Sequence, residues 1–299
     1  MVSVTRFAML LAAVLIAVAP AQRVCAESSV ADDVVTWRID WASGVLLVTV
    51  ERSVDAANRR SPAAVSQTQR SIRRDAPRIL FSTLAGIQLD SLHTVGGFAA
   101  GREGLVAGLE RAARRATAVD ASASRDLATA RVDFSIDLYR DLVPELAPHT
   151  RPAPVEARLG WVAHTDYTGI LIYAAEELPL FGTDETALVQ PALFPGIHYL
   201  TSDDRLLYRL AVQVHAAADH LTSGGFAAYT SDPEAAALRD RLGSTPLRIL
   251  AVAAFGSYPV DVVITEQDAR RIMASENNRS LVRDGRVVIV VDSARTAGE

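Results

Sequence analysis

Few residues in this chain have both the type and the spacing that a chemical site requires. His215 and His220 flank Asp219, the combination that comes nearest to a metal site. The two histidines are five positions apart, which places them about 140° apart on a helix and on opposite faces of a strand. Side chains placed in that way do not converge on one ion. The sequence therefore predicts no metal site and no cofactor.

Residues that could form the active site of a hydrolase are also scattered along the chain. No serine lies in the G-x-S-x-G pattern of a nucleophile elbow, and residues 256–258 indicate a turn between strands. The adjacent acids at 176–177 and 184–185 are typical of solvated loops. The glycines at 96–104 lack the spacing of nucleotide-binding fingerprints and indicate a flexible connection. We predict no catalytic residue and no enzyme; a hydrolase whose site assembles from distant residues is the alternative.

The amino-acid composition excludes further classes of enzyme. All thirty basic residues among the 299 are arginine, because the chain contains no lysine. A P-loop requires a lysine, and Schiff-base or pyridoxal-phosphate enzymes require a lysine amine that arginine does not replace. The only cysteine, Cys25, precedes the predicted start of the mature protein. A mature chain without cysteine forms no disulfide and has no thiolate nucleophile.

A cluster of arginines points to binding. In a chain of formal net charge −5, the segment 59–78 carries six arginines and one acid, Asp75. The six are Arg59, Arg60, Arg70, Arg73, Arg74 and Arg78. Because guanidinium groups bind carboxylates and phosphates, we predict partner contacts at Arg70, Arg73 and Arg74. An acidic protein, an acidic polymer or lipid head groups fit this charge outside the cytoplasm, whereas nucleic acid does not. A solvated helix face is the alternative.

The first 26 residues predict export. Arg6 precedes an apolar run at 7–19, which is shorter than the roughly 20 residues of a membrane span. Ala26 fits the small residue before a signal peptidase cleavage site. We predict a signal peptide over residues 1–26 and a periplasmic or secreted mature chain without a transmembrane segment. Lipidation at Cys25 is an alternative that the larger residues before it disfavour.

Alternating apolar and polar residues predict the first sheet. Strands are expected at 35–41, 45–50 and 130–138, and the first two form a hairpin. A helix begins at Ser61 and Pro62, and Pro77 either kinks it or divides it, with Asp75 as the cap of a second helix. A further helix is expected from Leu105 to about Val119.

Four prolines within residues 144–154 predict a boundary between two folded parts. We predict an N-terminal α+β domain at 27–143, a proline-rich linker at 144–155 and a C-terminal α+β domain at 156–299. The strands of the second part are expected at 169–174, 208–214, 247–255, 261–264 and 287–291, with a helix at 266–274 capped by Thr265. The predicted fold class is α+β, with two small mixed domains whose antiparallel sheets carry helices on one face.

The second part resembles a known family at five places. The matching stretches are 168–174, 191–195, 241–247, 261–264 with 268–269, and 286–292. On these residues the chain resembles the periplasmic flagellar-accessory and small outer-membrane lipoprotein family. The resemblance implies a protein found around the flagellar basal body or beneath the outer membrane, with envelope or basal-body proteins as partners. None of the five stretches is a catalytic motif.

These observations together predict a protein that acts by binding. We expect an exported, periplasmic assembly or structural accessory of the cell envelope or the flagellar base, with a further partner contact in the loop around Phe194. The alternatives are the hydrolase already described and a module that binds a small ligand or a cell-wall polymer.

Overall fold

The computed structural model describes residues 33–55, 57, 61–147, 149–157, 165–201, 203 and 206–293. The predicted signal peptide lies outside these residues, as do Arg59 and Arg60. Helices and sheets form an α+β fold, which confirms the predicted class. Residues 33–147 are called the N-terminal half and residues 165–293 the C-terminal half.

The N-terminal half is built on one four-stranded antiparallel sheet. Its strands are β1 (Asp33–Asp40), β2 (Val45–Ser53), β3 (Thr117–Ala123) and β4 (Thr129–Asp137). They lie in the order β1-β2-β4-β3. Alternate side chains of the two central strands are buried, among them Leu46, Val48 and Val132. The period-2 pattern of these strands therefore marks the sheet face that helices cover, as predicted.

Helices cover that face and close one end of the sheet. They are α1 (Pro62–Gly86), α2 (Val95–Ala99), α3 (Glu103–Arg114), α4 (Leu138–Asp141) and α5 (Val143–Leu146). The buried side of α1 carries Ile72, Ile79, Leu80 and Leu84. This apolar side packs on the sheet and beside α3, so the opposite side of α1 is left to solvent.

Pro77 lies inside α1 without ending it, and Asp75 caps nothing. The prediction of a helix start at Ser61 and Pro62 is confirmed, whereas a division into two helices is wrong. A proline removes one hydrogen bond from a helix and crowds the preceding turn. The apolar side chains on both sides of Pro77 remain buried, and their packing holds the two segments in one helix.

Two further local predictions are wrong. The helix expected to run to Val119 ends at Arg114, and β3 follows it. Almost all side chains of β3 are exposed, so this edge strand shows no alternation of apolar and polar residues. The glycine-rich segment after Thr94 begins with α2, because the Thr94 hydroxyl accepts a hydrogen bond from the amide of Gly97 and caps a short helix.

The C-terminal half contains two four-stranded sheets and a small hairpin. The first sheet comprises β5 (Ile170–Tyr173), β10 (Ala228–Thr230), β11 (Leu247–Leu250) and β14 (Val287–Val290). The second comprises β8 (Ile197–Leu200), β9 (Leu207–Ala211), β12 (Ala253–Phe255) and β13 (Asp261–Thr265). The hairpin pairs β6 (Leu178–Pro179) with β7 (Thr186–Ala187).

The first of these sheets corrects the prediction of antiparallel sheets throughout. Its order is β10-β14-β5-β11, and all of its strands are parallel. The second sheet, in the order β12-β13-β8-β9, is mixed. All four residues of β14 are buried, as a parallel strand covered on both faces requires. The apolar run at 287–291 predicted a buried strand, but not the direction of its neighbours.

Short helices connect the strands of the C-terminal half. They are α6 (Ala218–Gly224), α7 (Arg239–Leu242), α8 (Glu266–Met273) and α9 (Glu276–Arg283). The hydroxyl of Thr265 accepts a hydrogen bond from the amide of Asp268, which confirms the predicted cap of α8. None of the helices in the described ranges is long and apolar enough to cross a membrane.

The two halves share a continuous apolar core. The rings of Trp41 and Tyr229 meet edge to face across the junction, with centroids 5.7 Å apart. Beside them, the ring of Tyr139 lies between Gly44 of the N-terminal half and Gly225 of the C-terminal half. Burial raises the pKa of Tyr139 to about 12, because the phenolate would lose its hydration.

The predicted proline-rich linker packs against the C-terminal half where the structure describes it. Its first residues belong to α5, and the amide of Ala153 donates a 2.7 Å hydrogen bond to the carbonyl of Val214. His149 Nε2 lies 3.0 Å from the carbonyl oxygen of Ala216, and Val155 is buried. These contacts attach the segment to the C-terminal half, so it is not a free tether.

Candidate functional site

The exposed side of α1 carries four arginines. Arg70, Arg73, Arg74 and Arg78 are all exposed, and they form what is called here the arginine surface. With a rise of 1.5 Å per residue, Arg70 and Arg78 lie about 12 Å apart along the helix axis. Three of the four follow one another at intervals of four residues and therefore lie along one side of the helix. The structure thus brings the predicted contact residues Arg70, Arg73 and Arg74 together.

Little negative charge balances the arginine surface. Within the described part of the chain, Arg70, Arg73 and Arg78 form no ion pair. Arg74 makes a long contact, because its Nε lies 3.9 Å from the Asp75 carboxylate and 79% of its side chain is exposed. Asp75 is held instead by Arg52, at 2.9 Å. Arg52 also contacts Asp33, and these hydrogen bonds raise the pKa of the Arg52 guanidinium. The acid nearest to the surface is therefore already paired.

The arginines of the neighbouring helix α3 have carboxylate partners. Arg111 lies 2.6 Å from Glu145, Arg114 lies 3.0 Å from Glu110, and Arg115 lies 3.7 Å from Glu145. The hydrogen bonds that Arg111 donates to the Glu145 carboxylate raise the pKa of Arg111. Because α1 and α3 are adjacent on the same sheet, the difference between them is local. Of these two helices, only α1 carries a row of arginines that have few acidic partners among the described residues.

The arrangement on α1 weakens the isolated helix. Like charges at positions i and i+4 destabilise a helix by roughly 0.2–0.5 kcal/mol per pair. Arg70 with Arg74, and Arg74 with Arg78, are two such pairs. An anionic partner would turn this repulsion into attraction, and several charges fixed on one helix side bind more strongly than one mobile charge. The geometry suits the recognition of several carboxylates or phosphates at once.

Phe194 is not available as a partner contact. Its side chain is 4% exposed, and its amide donates a 2.7 Å hydrogen bond to the carbonyl of Leu89 in the N-terminal half. The neighbouring Leu193 is buried as well. The loop around Phe194 thus forms part of the junction between the halves, and this predicted contact is wrong because the N-terminal half covers the loop.

A buried polar cluster joins the two halves. Asp261 accepts hydrogen bonds from the Ser91 hydroxyl at 2.9 Å and from the Gly196 amide at 2.7 Å, and His198 Nε2 lies 2.9 Å from the same carboxylate. Ser91, His198 and Asp261 are each less than 10% exposed. In a catalytic triad the histidine stands between serine and acid. Here the acid stands between them, so the cluster lacks the order that activates a serine.

The histidines do not assemble with acids into a larger set of ligands. Across the described residues, no group of three histidine, cysteine, aspartate or glutamate side chains could hold a metal ion. His220 is exposed on α6, and His215 lies in the short helical turn Gln213–His215. Burial lowers the pKa of His215, because the imidazolium would lose its hydration.

The sequence missed a cleft between α6 and α7. Its lining includes His220, Arg241 and Arg286, which come from three separate segments. Arg241 and Arg286 fall within the stretches at 241–247 and 286–292, neither of which is a catalytic motif. The available signal was the glycine next to each of the three segments, at Gly225, Gly243 and Gly285, because turns at glycine often bring backbone close to a ligand.

Both halves of the chain match domains of one known protein. Residues 34–145 match the family model for the N-terminal domain of Treponema pallidum Tp0624, and residues 169–293 match the model for its second domain. The chain is similar to Tp0624 in both halves. No curated protein matches it. The match to the Tp0624 second domain covers nearly the same residues as the resemblance at 168–292, but neither match is to a family described as a flagellar accessory or an outer-membrane lipoprotein.

The sites described above lie within the two regions that match Tp0624. The arginine surface lies within the N-terminal domain match, and the cleft between α6 and α7 lies within the second-domain match. The contact of Ser91 with Asp261 joins the two matched regions. Each candidate site thus belongs to one Tp0624-like domain, and the buried cluster connects them.

Proposed function

We propose that this chain is an exported binding protein that serves as an assembly or structural accessory of the cell envelope, and that the arginine surface contacts an acidic face of a partner protein. The observation that carries the proposal is the row of exposed arginines on α1, three of which form no ion pair with a described residue, beside the paired arginines of α3. Surface arginines commonly find carboxylates within their own chain, and their absence here leaves the charge for a partner.

The rigidity of α1 supports a protein partner. The helix has 25 residues, and its apolar side is fixed on the sheet, so the four arginines are held at constant spacing. A partner with carboxylates at matching positions would lose little conformational entropy from this side of the interface. Envelope proteins, including those of the flagellar base that the sequence suggested, are the class in which we expect this partner.

Lipid head groups are a weaker candidate. Helices that lie on a membrane place large apolar residues beside their basic residues, so that these enter the head-group region. Where its side chains are exposed, α1 instead carries small or polar residues such as Ala63, Gln67 and Ser82. The large exposed apolar residues in the described part of the chain lie on other elements. Charge alone would then have to hold the protein on a membrane.

A hydrolase remains the second candidate class, but no observation favours it. The contact of serine, aspartate and histidine is the feature closest to an active site, and it is buried with the acid in the central position. An activated serine requires a direct hydrogen bond to the histidine. The arginine surface supports the binding role without such a site.

A comparison of two matched variants tests the proposal. Arg70→Gln/Arg73→Gln/Arg78→Gln removes three unpaired charges from α1. Arg114→Gln/Arg248→Gln/Arg270→Gln removes three exposed arginines that lie outside α1, and each of them has a carboxylate partner. Surface ion pairs contribute roughly 0–1 kcal/mol each, so both variants should fold. Each tagged mature protein is cross-linked in native envelopes and purified, and the proteins isolated with it are identified.

We expect a specific envelope protein to be isolated with the wild type and with the Arg114/Arg248/Arg270 variant, and to be lost from the Arg70/Arg73/Arg78 variant. Recovery of the same partner with all three proteins would contradict the role of the arginine surface. Recovery of the wild type as a free soluble species would contradict the accessory function itself. Isolation with lipid alone would replace the acidic protein with lipid head groups.

A further inference from the structure

The cleft between α6 and α7 lies apart from the arginine surface, in the C-terminal half. It has a volume of about 560 Å³ and opens beside the amino end of β14. Pockets for small ligands commonly have volumes of roughly 300–1,000 Å³. Gly224, Gly225 and Gly285 line part of it, so a ligand there would meet backbone instead of side chains. The cleft is therefore large enough for a small molecule.

Arg241 forms one wall of the cleft and has no counter-ion. Its two terminal nitrogens donate hydrogen bonds to the carbonyls of Gly224 and Gly225, at 2.7 and 2.9 Å. Its buried Nε–H has no acceptor among the described residues, and no carboxylate there pairs with the guanidinium. Burial lowers the pKa of Arg241, because the charged form loses hydration. A half-buried cation normally requires a nearby anion.

Arg286 provides a second cation in the lining of the cleft. Its Nε and Nη2 donate hydrogen bonds to the carbonyls of Arg241 and Asp240, both at 3.1 Å. Like Arg241, it forms no ion pair within the described part of the chain. These backbone contacts fix the guanidinium in place and leave its Nη1 without an acceptor among the described residues. Two positioned guanidinium groups therefore line one cleft.

Two acids, Asp240 and Asp284, also line the cleft, but neither forms an ion pair with these cations. Asp284 is paired with Arg283, whose Nε lies 3.1 Å from it. Asp240 is exposed, and its carboxylate forms no ion pair with a described residue. Guanidinium groups recognise the two oxygens of a carboxylate or phosphate in a fixed planar geometry. The two guanidinium groups, the volume and the glycine lining suit a small oxyanion.

We propose that this cleft binds a small anion through a carboxylate or phosphate group that Arg241 and Arg286 hold between them. The site is independent of the arginine surface and of the accessory function proposed above. It gives the second Tp0624-like domain a ligand of its own. The terminal negative dipole of α6 offsets part of the charge of Arg241, and the ligand supplies the rest.

Titration of the isotopically labelled mature protein with inorganic phosphate and with succinate tests the proposal and separates the two anion classes. We expect the amide signals of Gly224, Gly225 and Gly285 to shift with saturation for at least one of the two probes. Arg286→Gln should weaken binding at least tenfold. Arg270→Gln, which removes a paired and exposed arginine of α8 outside the cleft lining, should leave it unchanged.

A second pair of variants keeps the test valid if Arg286→Gln unfolds. Ser223 is exposed at the rim, so Ser223→Glu places a negative charge beside the cleft, whereas Ser223→Gln adds similar bulk without charge. We expect the glutamate variant alone to lose binding, and Arg70→Gln/Arg73→Gln/Arg78→Gln to retain it. Equal affinity in the two Ser223 variants, or no saturable shift with either probe, would overturn the proposal.

Discussion

At the scale of individual residues, one buried carboxylate makes polar contacts with both halves at their junction. Asp261 accepts hydrogen bonds from the serine of one half and from a backbone amide of the other, and it contacts the ring of His198. Gly196 lies so close that a Cβ there would be 2.8 Å from the carboxylate. A buried acid satisfied in this way stabilises the fold, because its partners would otherwise be buried without hydrogen bonds.

Replacing this carboxylate should destabilise the fold. Asp261→Asn puts an amide donor where the carboxylate accepts from Ser91 and contacts His198. We expect the free energy of unfolding to fall by about 1–3 kcal/mol, measured by urea denaturation. Asp133→Asn is the control, because Asp133 bonds to Thr49 and Arg131 at the surface of the first sheet. The free energy of unfolding of this control should fall by less than about 1 kcal/mol. Equal losses in the two variants would show that Asp261 contributes no more to stability than an acid at the sheet surface.

The sequence predicted the exposed arginines of α1 better than the residues of the junction. Arg70, Arg73 and Arg74 were identified because charge and helical spacing are local properties. Phe194 was misassigned because its burial depends on the N-terminal half, which lies far away in sequence. Arg241 and Arg286 were not singled out as a site, because 45 positions separate them and only the fold brings them together.

The position of the Tyr139 ring depends on the residue that follows α6. Gly225 follows this helix with φ at +71°, and a Cβ there would lie 2.4 Å from the Tyr139 ring. Glycine is required both for the left-handed backbone and for the space that the ring occupies. The close approach of α6 to α4 and α5 therefore depends on one residue without a side chain.

Two glycine variants separate these requirements. Gly101 has nearly the same φ, +73°, but nothing lies within 4 Å of a Cβ built there. Gly101→Ala should therefore cost only the left-handed strain, about 1–2 kcal/mol. Gly225→Ala should cost about 1–3 kcal/mol more, because the Tyr139 ring must move. Thermal and urea unfolding measure both values. Equal losses of unfolding free energy in the two variants would mean that the Tyr139 ring moves aside at no cost.

Elements with a strong local sequence pattern were predicted correctly, whereas the edge strand β3 was not. The hairpin of β1 and β2, strand β4, the start of α1 and the cap of α8 each have a signal of a few residues. The edge strand β3 has exposed side chains on both faces and was mistaken for the end of a helix. The parallel direction of β5 and β14 depends on long connections whose course no local pattern specifies.

The whole molecule combines two Tp0624-like domains in one continuous core. The arginine surface lies on the N-terminal domain, the anion cleft on the other, and the buried cluster around Asp261 holds the two in a fixed relation. A partner bound to the first domain and a small anion bound to the second would therefore act on one rigid body. The composition predicted two folded parts, but it did not predict the polar contacts that join them.

Binding of the purified mature protein to labelled poly-L-glutamate tests the central claim, that the arginine surface recognises carboxylates, most directly. Fluorescence anisotropy measures the affinity of the wild type, the Arg70/Arg73/Arg78 variant and the Arg114/Arg248/Arg270 variant at increasing salt. We expect the wild type and the second variant to bind alike and to weaken as salt screens the charges, and the first variant to bind at least tenfold less tightly. Equal weakening in both variants would show that binding follows net charge, and would contradict the claim.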